Sequence, residues 1–173
     1  MANTTFTGPV RSENGFIDVT KNADTGAFTT NFTLGSSGLL ATPVALPNAN
    51  TTLTATTYAG RTLVMPNLAT ATAFTLPTPS AGLYFKIVYG GSAQDVQNGI
   101  ITTGSDTNFF IGGVTHLDTN ADNVAVYANG SSNSKLTLTA QGLMEINILA
   151  KDSVNWYIWG YMTGASAPVF ADQ

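Results

Sequence analysis

The chain has 173 residues, of which 9% are charged, and its 6 Lys and Arg against 10 Asp and Glu give a net charge of −4. The absence of cysteine excludes disulfides and thiolate metal sites. The acidic balance and scattered basic residues argue against a nucleic-acid partner, whose phosphates require a basic patch.

Residues 1–15 are predicted to form an arm outside the folded domain. Gly8-Pro9 and Asn14-Gly15 interrupt helix and strand alike, so this segment is expected to lack a fixed structure by itself. The first residues lack the basic and apolar regions of a signal peptide, and no run of about 18 apolar residues occurs. We therefore expect a protein made in a cytoplasm, with no cleaved leader and no membrane partner.

The arm contains residues suited to holding another protein, because an extended segment can add a strand to an exposed sheet edge of a neighbour. Phe6 and Phe16 are the predicted apolar anchors, with Pro9 in the segment between them. Arg11 and Glu13 are predicted to fix the register through ion pairs. The alternative interpretation is an ordinary frayed chain end.

After the arm, apolar and polar residues alternate in several segments. They are AFTTNFTL (27–34), GLYFKIVYGG (82–91), KLTLTA (135–140), LMEINILA (143–150) and VNWYIWGYM (154–162). In the last segment Trp156 and Ile158 fall on one face, and Tyr157, Trp159 and Tyr161 fall on the other. A period of two indicates strands with one buried face, as in antiparallel sheets.

Turn-forming pairs separate these segments. Asn98-Gly99 and Asn129-Gly130 suit hairpin turns, and Gly112-Gly113 is predicted as another turn. The stretch 38–57 contains two prolines and few large residues after Leu46, so we expect it to run as an extended connection.

These patterns predict an all-β protein. The expected fold is an antiparallel, jelly-roll-like β-sandwich of about ten short strands over residues 16–162. An extended N-terminal arm (1–15) would precede it, and a C-terminal tail (163–173) that could serve as a second arm would follow it.

His116 is the only histidine, so a Ser-His-Asp triad would have to use it. It lies in a short predicted strand, and no Gly-x-Ser-x-Gly motif occurs in the chain. The pattern therefore favours a structural role for His116.

The acidic stretch that follows has oxygen side chains at alternate positions, Asp118, Asn120 and Asp122, as at the start of an EF-hand loop. Asn123 stands where that loop needs glycine, and Asn129 stands where it needs a bidentate glutamate. We therefore predict an Asx-rich turn and no metal, with a weak cation site as the alternative.

Glu145 has apolar sequence neighbours, but alternation places it on the face opposite Met144 and Ile146. Glycoside hydrolysis would require a second carboxylate about 5–10 Å away, and the sequence selects none. The sequence therefore predicts no catalytic residue and no cofactor.

Trp156, Tyr157, Trp159 and Tyr161 place aromatic rings on both faces of one strand. Such a strand usually packs one face in the core and the other against a neighbouring sheet or subunit. A platform for sugar is the alternative.

Two stretches carry a resemblance. One layout is ATATAFTLPTPSAGLYFKIVYGG (69–91) followed later by NWYIWGYMTG (155–164), with a similarity that spans about residues 61–160. The other is TTFTGPVRSENGF, residues 4–16. The first resembles surface proteins of tailed-bacteriophage virions. The second resembles the N-terminal leader of small structural proteins of marine and cyanobacterial tailed phages.

Together the resemblances imply a capsid decoration, or cement, protein. Such proteins are β-rich and often homotrimeric. They sit on the capsid surface of the virion at three-fold points, bridge major capsid protein subunits and have no enzymatic activity. The alternatives are a receptor-binding tail-fibre or spike domain, for which the chain is short and lacks a coiled-coil shaft, and a carbohydrate-binding β-domain.

Overall fold

The structure, a computed structural model, describes residues 16–34, 43–118, 122–164 and 166–173. Its contacts divide the chain into two compact units, Met1–Ala41 and Thr42–Gln173. The described part of the first unit contains a two-stranded sheet, and the second contains one sheet of seven strands and one of five. The sequence predicts the boundary of the sandwich after residue 15, whereas the division in the structure falls after Ala41.

The described part of the N-terminal unit is a β-hairpin. In it, β1 (Phe16–Lys21) pairs antiparallel with β2 (Phe28–Leu34). In the turn, the side-chain oxygen of Asn22 accepts the backbone N–H groups of Asp24 and Thr25, both at 2.9 Å. This local bonding is the reason that Asn is favoured at turns.

The second unit consists of short strands and one helical turn. In chain order they are β3 (Val44–Ala45), β4 (Thr51–Thr52), α1 (Ala55–Tyr58), β5 (Thr62–Met65), β6 (Thr72–Thr75), β7 (Tyr84–Tyr89), β8 (Gly99–Thr102), β9 (Phe109–Asp118), β10 (Val124–Asn129), β11 (Lys135–Leu138), β12 (Met144–Ala150), β13 (Asn155–Gly164) and β14 (Val169–Ala171). No helix in the described ranges has the length and apolar character needed to cross a membrane.

The seven-stranded sheet has the order β10-β9-β13-β12-β7-β5-β3, and the five-stranded sheet has the order β14-β11-β8-β6-β4. From β3 to β8 the chain alternates between the two sheets, so successive strands of one sheet run parallel. The pair β13–β9 is also parallel, and the remaining pairs are antiparallel.

The prediction of an all-β, sandwich-like fold is confirmed, but the prediction of purely antiparallel sheets is wrong. Alternation indicates which face of a strand is buried, and it says nothing about the direction of the neighbouring strand. The crossings between sheets determine that direction here. The jelly-roll connectivity stays a prediction.

One hydrophobic core lies between the two sheets. The predicted alternation is confirmed, since the inward residues of β7, β11, β12 and β13 are buried: Phe85, Ile87, Leu136, Leu138, Met144, Ile146, Ile148, Trp156 and Ile158. The rings of Phe85 and Trp156 pack with centroids 5.9 Å apart. Each large side chain buried in this way contributes about 1.5–3 kcal/mol.

A buried polar cluster connects three loops at one end of the sheets. The Asp95 carboxylate accepts the backbone N–H groups of Leu68 (2.8 Å) and Gln97 (2.9 Å) and the side-chain amide of Gln141 (3.0 Å). Gln141 in turn accepts the N–H of Gly99 at 3.0 Å. Because its partners satisfy the buried carboxylate, the cluster can stabilise the loops without an unpaired charge.

The C-terminal segment belongs to the sandwich. Strand β13 extends to Gly164, and β14 pairs with β11 at the edge of the five-stranded sheet. The Ser134 hydroxyl donates to Asp172 at 2.8 Å, which fixes the residues after β14. Residues 163–164 and Val169–Ala171 thus lie in strands where the sequence predicts a tail.

Candidate functional site

The side chains that alternate with the core residues make one surface of the seven-stranded sheet. Its central part consists of Tyr84, Lys86, Gly113, Tyr127, Glu145, Asn147, Tyr157, Trp159 and Tyr161. We refer to this set as the outer face. It combines aromatic rings with one short chain of polar contacts.

One row of the outer face crosses five strands. Asn147 lies opposite Lys86 on one side and Trp159 on the other. Trp159 pairs in register with Gly113, and Gly113 lies opposite Tyr127. Neighbouring strands are about 4.8 Å apart, so this row places a charged group, an amide and two aromatic rings along one line.

The polar part of the outer face is held together by three contacts. Lys86 Nζ lies 2.9 Å from Glu145 Oε2, the Asn147 amide donates to Glu145 Oε1 at 3.2 Å, and the Tyr84 hydroxyl donates to the Asn147 side-chain oxygen. The hydrogen bond from Lys86, with that from Asn147, lowers the pKa of Glu145. The same bond to Glu145 raises the pKa of Lys86.

The aromatic part is substantially exposed. The exposed fractions are 39% for Tyr157, 45% for Trp159 and 73% for Tyr127. The Tyr84 ring packs near Trp159 with centroids 6.4 Å apart. Trp156 lies on the opposite face of the same strand and is fully buried, as the alternation predicts.

Two charged residues lie beside Tyr157, and they contact each other. Lys151 Nζ lies 5.9 Å from the centre of the Tyr157 ring and 3.8 Å from an Asp152 carboxylate oxygen. The backbone N–H groups of Val154 and Asn155 bond to Asp152 and lower its pKa. Asp152 therefore closes the turn between β12 and β13.

His116 is buried inside the sheet, with 2% of its surface exposed. Its Nε2 lies 2.8 Å from the carbonyl oxygen of Gly164, and since a carbonyl only accepts, Nε2 carries the proton. The contact fastens the end of β9 to the end of β13. This geometry supports the structural interpretation of His116.

The acidic stretch is described only in part, because residues 119–121 lie outside the described ranges. The Asn123 side chain accepts the backbone N–H of Asp118 at 3.0 Å, as in an Asx-rich turn. Across the described residues, no group of three or more His, Asp or Glu is placed to hold a metal ion.

The predicted arm residues are mostly beyond the described ranges. Phe6, Pro9, Arg11 and Glu13 lie outside them, and Phe16 is described only as the first residue of β1. The role of these five residues in binding therefore stays a prediction.

Sequence reasoning missed Gly113, Tyr127 and the contact of Lys86 with Glu145. Gly112-Gly113 is predicted as a turn, but both glycines lie in the middle of β9. The partners come from strands far apart in the chain, and a single sequence carries no register between such strands. The polar Asn and Lys on otherwise apolar strands were the one available signal.

No protein-family profile matches this chain, and a comparison with curated proteins finds no match. Among the described residues, the surfaces that bear on function are the outer face and the N-terminal hairpin.

Proposed function

We propose that this chain is a non-enzymatic structural protein of a phage virion. It binds the outside of the capsid, bridges major capsid protein subunits and stabilises the shell, and it acts as a homotrimer. The resemblances at residues 4–16 and 61–160 suggest this role. The observation that carries the proposal is the separate hairpin of the N-terminal unit.

An isolated two-stranded hairpin is marginally stable in water, because it cannot bury enough apolar surface. Within the described residues, strands β1 and β2 pair only with each other. An added strand from a neighbouring protein would complete such a sheet. The N-terminal unit therefore fits a segment that becomes stable by binding, as a capsid anchor does.

The edge strand β10 supports association between copies. Strand β10 ends the seven-stranded sheet, and its sequence VAVYAN contains neither a charge nor a proline. Natural proteins usually protect edge strands with such residues. Pairing of β10 with a neighbouring copy would cover this edge, which is one route to an oligomer.

The test is binding to purified capsids that lack this protein. We would compare the full chain with a variant that begins at Phe16 and a variant that begins at Thr42, which keeps both large sheets. We expect saturable co-sedimentation of the full chain at many copies per capsid and loss of binding when residues 1–41 are removed. Circular dichroism and thermal melting of the Thr42 variant control for its folding.

Each outcome has a distinct meaning. Binding that survives both truncations would keep the capsid role and assign it to the sandwich instead of the N-terminal unit. Failure of the full chain to bind capsids would contradict the proposal and favour a receptor-binding tail domain. Light scattering of the unbound protein measures the oligomeric state independently.

A further inference from the structure

The outer face has an arrangement that capsid anchoring does not require. Three exposed rings lie on this face: those of Tyr157 and Trp159 on β13, and that of Tyr127 on β10, which is separated from β13 by β9 alone. Polar side chains that are held by mutual hydrogen bonds lie beside them. These two components, flat apolar surfaces and oriented hydrogen-bonding groups, are what recognition of a polar ring-shaped ligand needs.

The Tyr127 ring lies against the backbone of β9 because residue 113 is glycine. A Cβ on Gly113 would lie 2.8 Å from Cδ1 and 3.3 Å from Cε1 of Tyr127, and 2.6 Å from the carbonyl oxygen of Val126. The ring thus occupies the place of a side chain at position 113. It is supported by the sheet, and 73% of the residue remains exposed.

Trp159 is the neighbour of Gly113 on the other side, in β13. Its position next to the Tyr84 ring, with an interplanar angle of 31°, restrains its orientation. Trp159 and Tyr127 therefore offer two supported rings on either side of one glycine. Rigid aromatic side chains of this kind bind with little loss of conformational freedom.

The polar groups beside Trp159 keep hydrogen-bonding capacity after their internal contacts are made. An ionised carboxylate has about four acceptor sites and an ammonium has three donors, and the Lys86 and Glu145 side chains are 32% and 35% exposed. Asn147 is 7% exposed and serves as a positioning residue between Tyr84 and Glu145. The site therefore presents both donors and acceptors, which matches hydroxyl groups.

The charge of the outer face favours an uncharged ligand. Lys86 and Glu145 are the only charged residues on the described outward positions of β5, β7, β9, β10, β12 and β13, and they are in contact. Next to Tyr157, Lys151 lies close to Asp152 as well. The face therefore has no net charge with which to attract an anion or a cation.

We infer that the outer face binds a neutral glycan, a chain of uncharged sugar rings. The apolar faces of the sugar rings stack on Trp159 and Tyr127, and the hydroxyl groups bond to Lys86 and Glu145. This binding is independent of capsid attachment through the N-terminal unit. A protein that held both would present a glycan-binding surface on the particle to which it is anchored.

Tryptophan fluorescence and native affinity electrophoresis test the inference on the full chain. Trp156 is fully buried and Trp159 is 45% exposed, so acrylamide quenching of the native protein reports chiefly on Trp159. The probes are soluble neutral polymers (hydroxyethylcellulose, mannan, galactan and dextran), with polygalacturonate and carboxymethylcellulose as charged comparisons, because a polycation would bind this acidic chain non-specifically. We expect at least one neutral polymer to protect Trp159 and retard the protein, and the charged polymers to act more weakly.

Substitution of the aromatic side chains tests whether the rings make the contacts with the glycan. Trp159→Ala and Tyr127→Ala should each weaken retardation by about tenfold or more. Leu143→Ala, at a residue that is 64% exposed in the turn before β12, is the matched control and should bind normally. The inference is overturned if no neutral polymer binds, if either ring variant binds as well as the native chain, or if Trp159 is protected by raising protein concentration alone. The last result would mean that a second copy covers the face.

Discussion

Trp156 and Trp159 lie on the same strand, and they show how differently the two faces of the seven-stranded sheet are built. Trp156 is fully buried against Phe85, whereas Trp159 is 45% exposed beside Tyr84 and Gly113. The inner face is apolar and close-packed, and the outer face combines supported rings with an ion pair. We therefore expect stability to depend mainly on the inner face and the proposed glycan binding on the outer face, so the two should be separable by substitution.

The largest expected effect on stability is at Trp156. Trp156→Ala would leave a cavity between the sheets, and we expect the free energy of unfolding to fall by about 4 kcal/mol. The indole Nε1 has no hydrogen-bond partner among the residues that the structure describes. Trp156→Phe removes this donor and should therefore cost about 1.5 kcal/mol or less. Urea unfolding followed by circular dichroism measures both. Equal losses for the two variants would contradict this account of the inner face.

Asp95→Ala is expected to cause the next largest loss in the free energy of unfolding. The substitution leaves the N–H groups of Leu68 and Gln97 and the Gln141 amide without their acceptor in a buried cluster. We expect a loss of about 3 kcal/mol, seen as a lower urea midpoint with an unchanged slope. Asp106→Ala, a turn acid, is the comparison. A loss below about 1 kcal/mol at Asp95 would mean that the cluster does not hold the loops together.

For Trp159→Ala we expect a small loss of stability and a large loss of glycan binding, the opposite of Trp156→Ala. Because the side chain is half exposed, the expected loss of stability is about 1 kcal/mol, well below that for Trp156→Ala. Binding to a neutral glycan, in contrast, should fall by about tenfold or more. Paired urea and binding measurements on the two tryptophan variants check this reversal. A loss of stability at Trp159 as large as that at Trp156 would remove the distinction between the faces.

The smallest expected effect on stability comes from the contact between Lys86 and Glu145. Hydrogen bonds from Lys86 and then Asn147 lower the pKa of Glu145 from its ordinary 4.5, and the bond to Glu145 raises the pKa of Lys86 from 10.5. The pair therefore stabilises the fold between about pH 4.5 and 10.5. Its contribution is lost as pH falls through the lowered pKa of Glu145 or rises through the raised pKa of Lys86.

Because both side chains reach solvent, the contribution at neutral pH should be at most about 1 kcal/mol. Glu145→Gln should lose this amount at pH 7, and its difference from the native chain should shrink as the pH falls through the lowered pKa of Glu145, measured by urea unfolding at each pH. A difference that grows as the pH falls would have the wrong sign for this account.

Alternation in the sequence predicts which residues are buried, because a strand with one solvent-exposed face and one buried face needs apolar side chains at every second position. Trp156, Ile158, Leu136 and Leu138 follow that rule. The rule does not predict the parallel pairs, because direction depends on how the chain crosses between sheets. Asn129-Gly130 has the positive φ of a turn at Gly130, yet it connects β10 to a strand of the other sheet and closes no hairpin.

The composition of the outer face was harder to predict than that of the core. Tyr157 and Trp159 are visible in the sequence as outward residues, but their neighbours Tyr127 and Gly113 depend on the register of β9 and β10 with β13. The contact of Lys86 with Glu145 likewise depends on the pairing of β7 with β12. Local pattern determines the face of a residue, and only the assembled sheet determines which residues share a site.

The most direct test of the central proposal is an electron cryomicroscopy reconstruction of capsids saturated with the full chain. The account predicts added density at many equivalent points on the outer capsid surface, with the N-terminal unit contacting two or more major capsid subunits. Capsids that show no added density, or density confined to the tail, would contradict the decoration role.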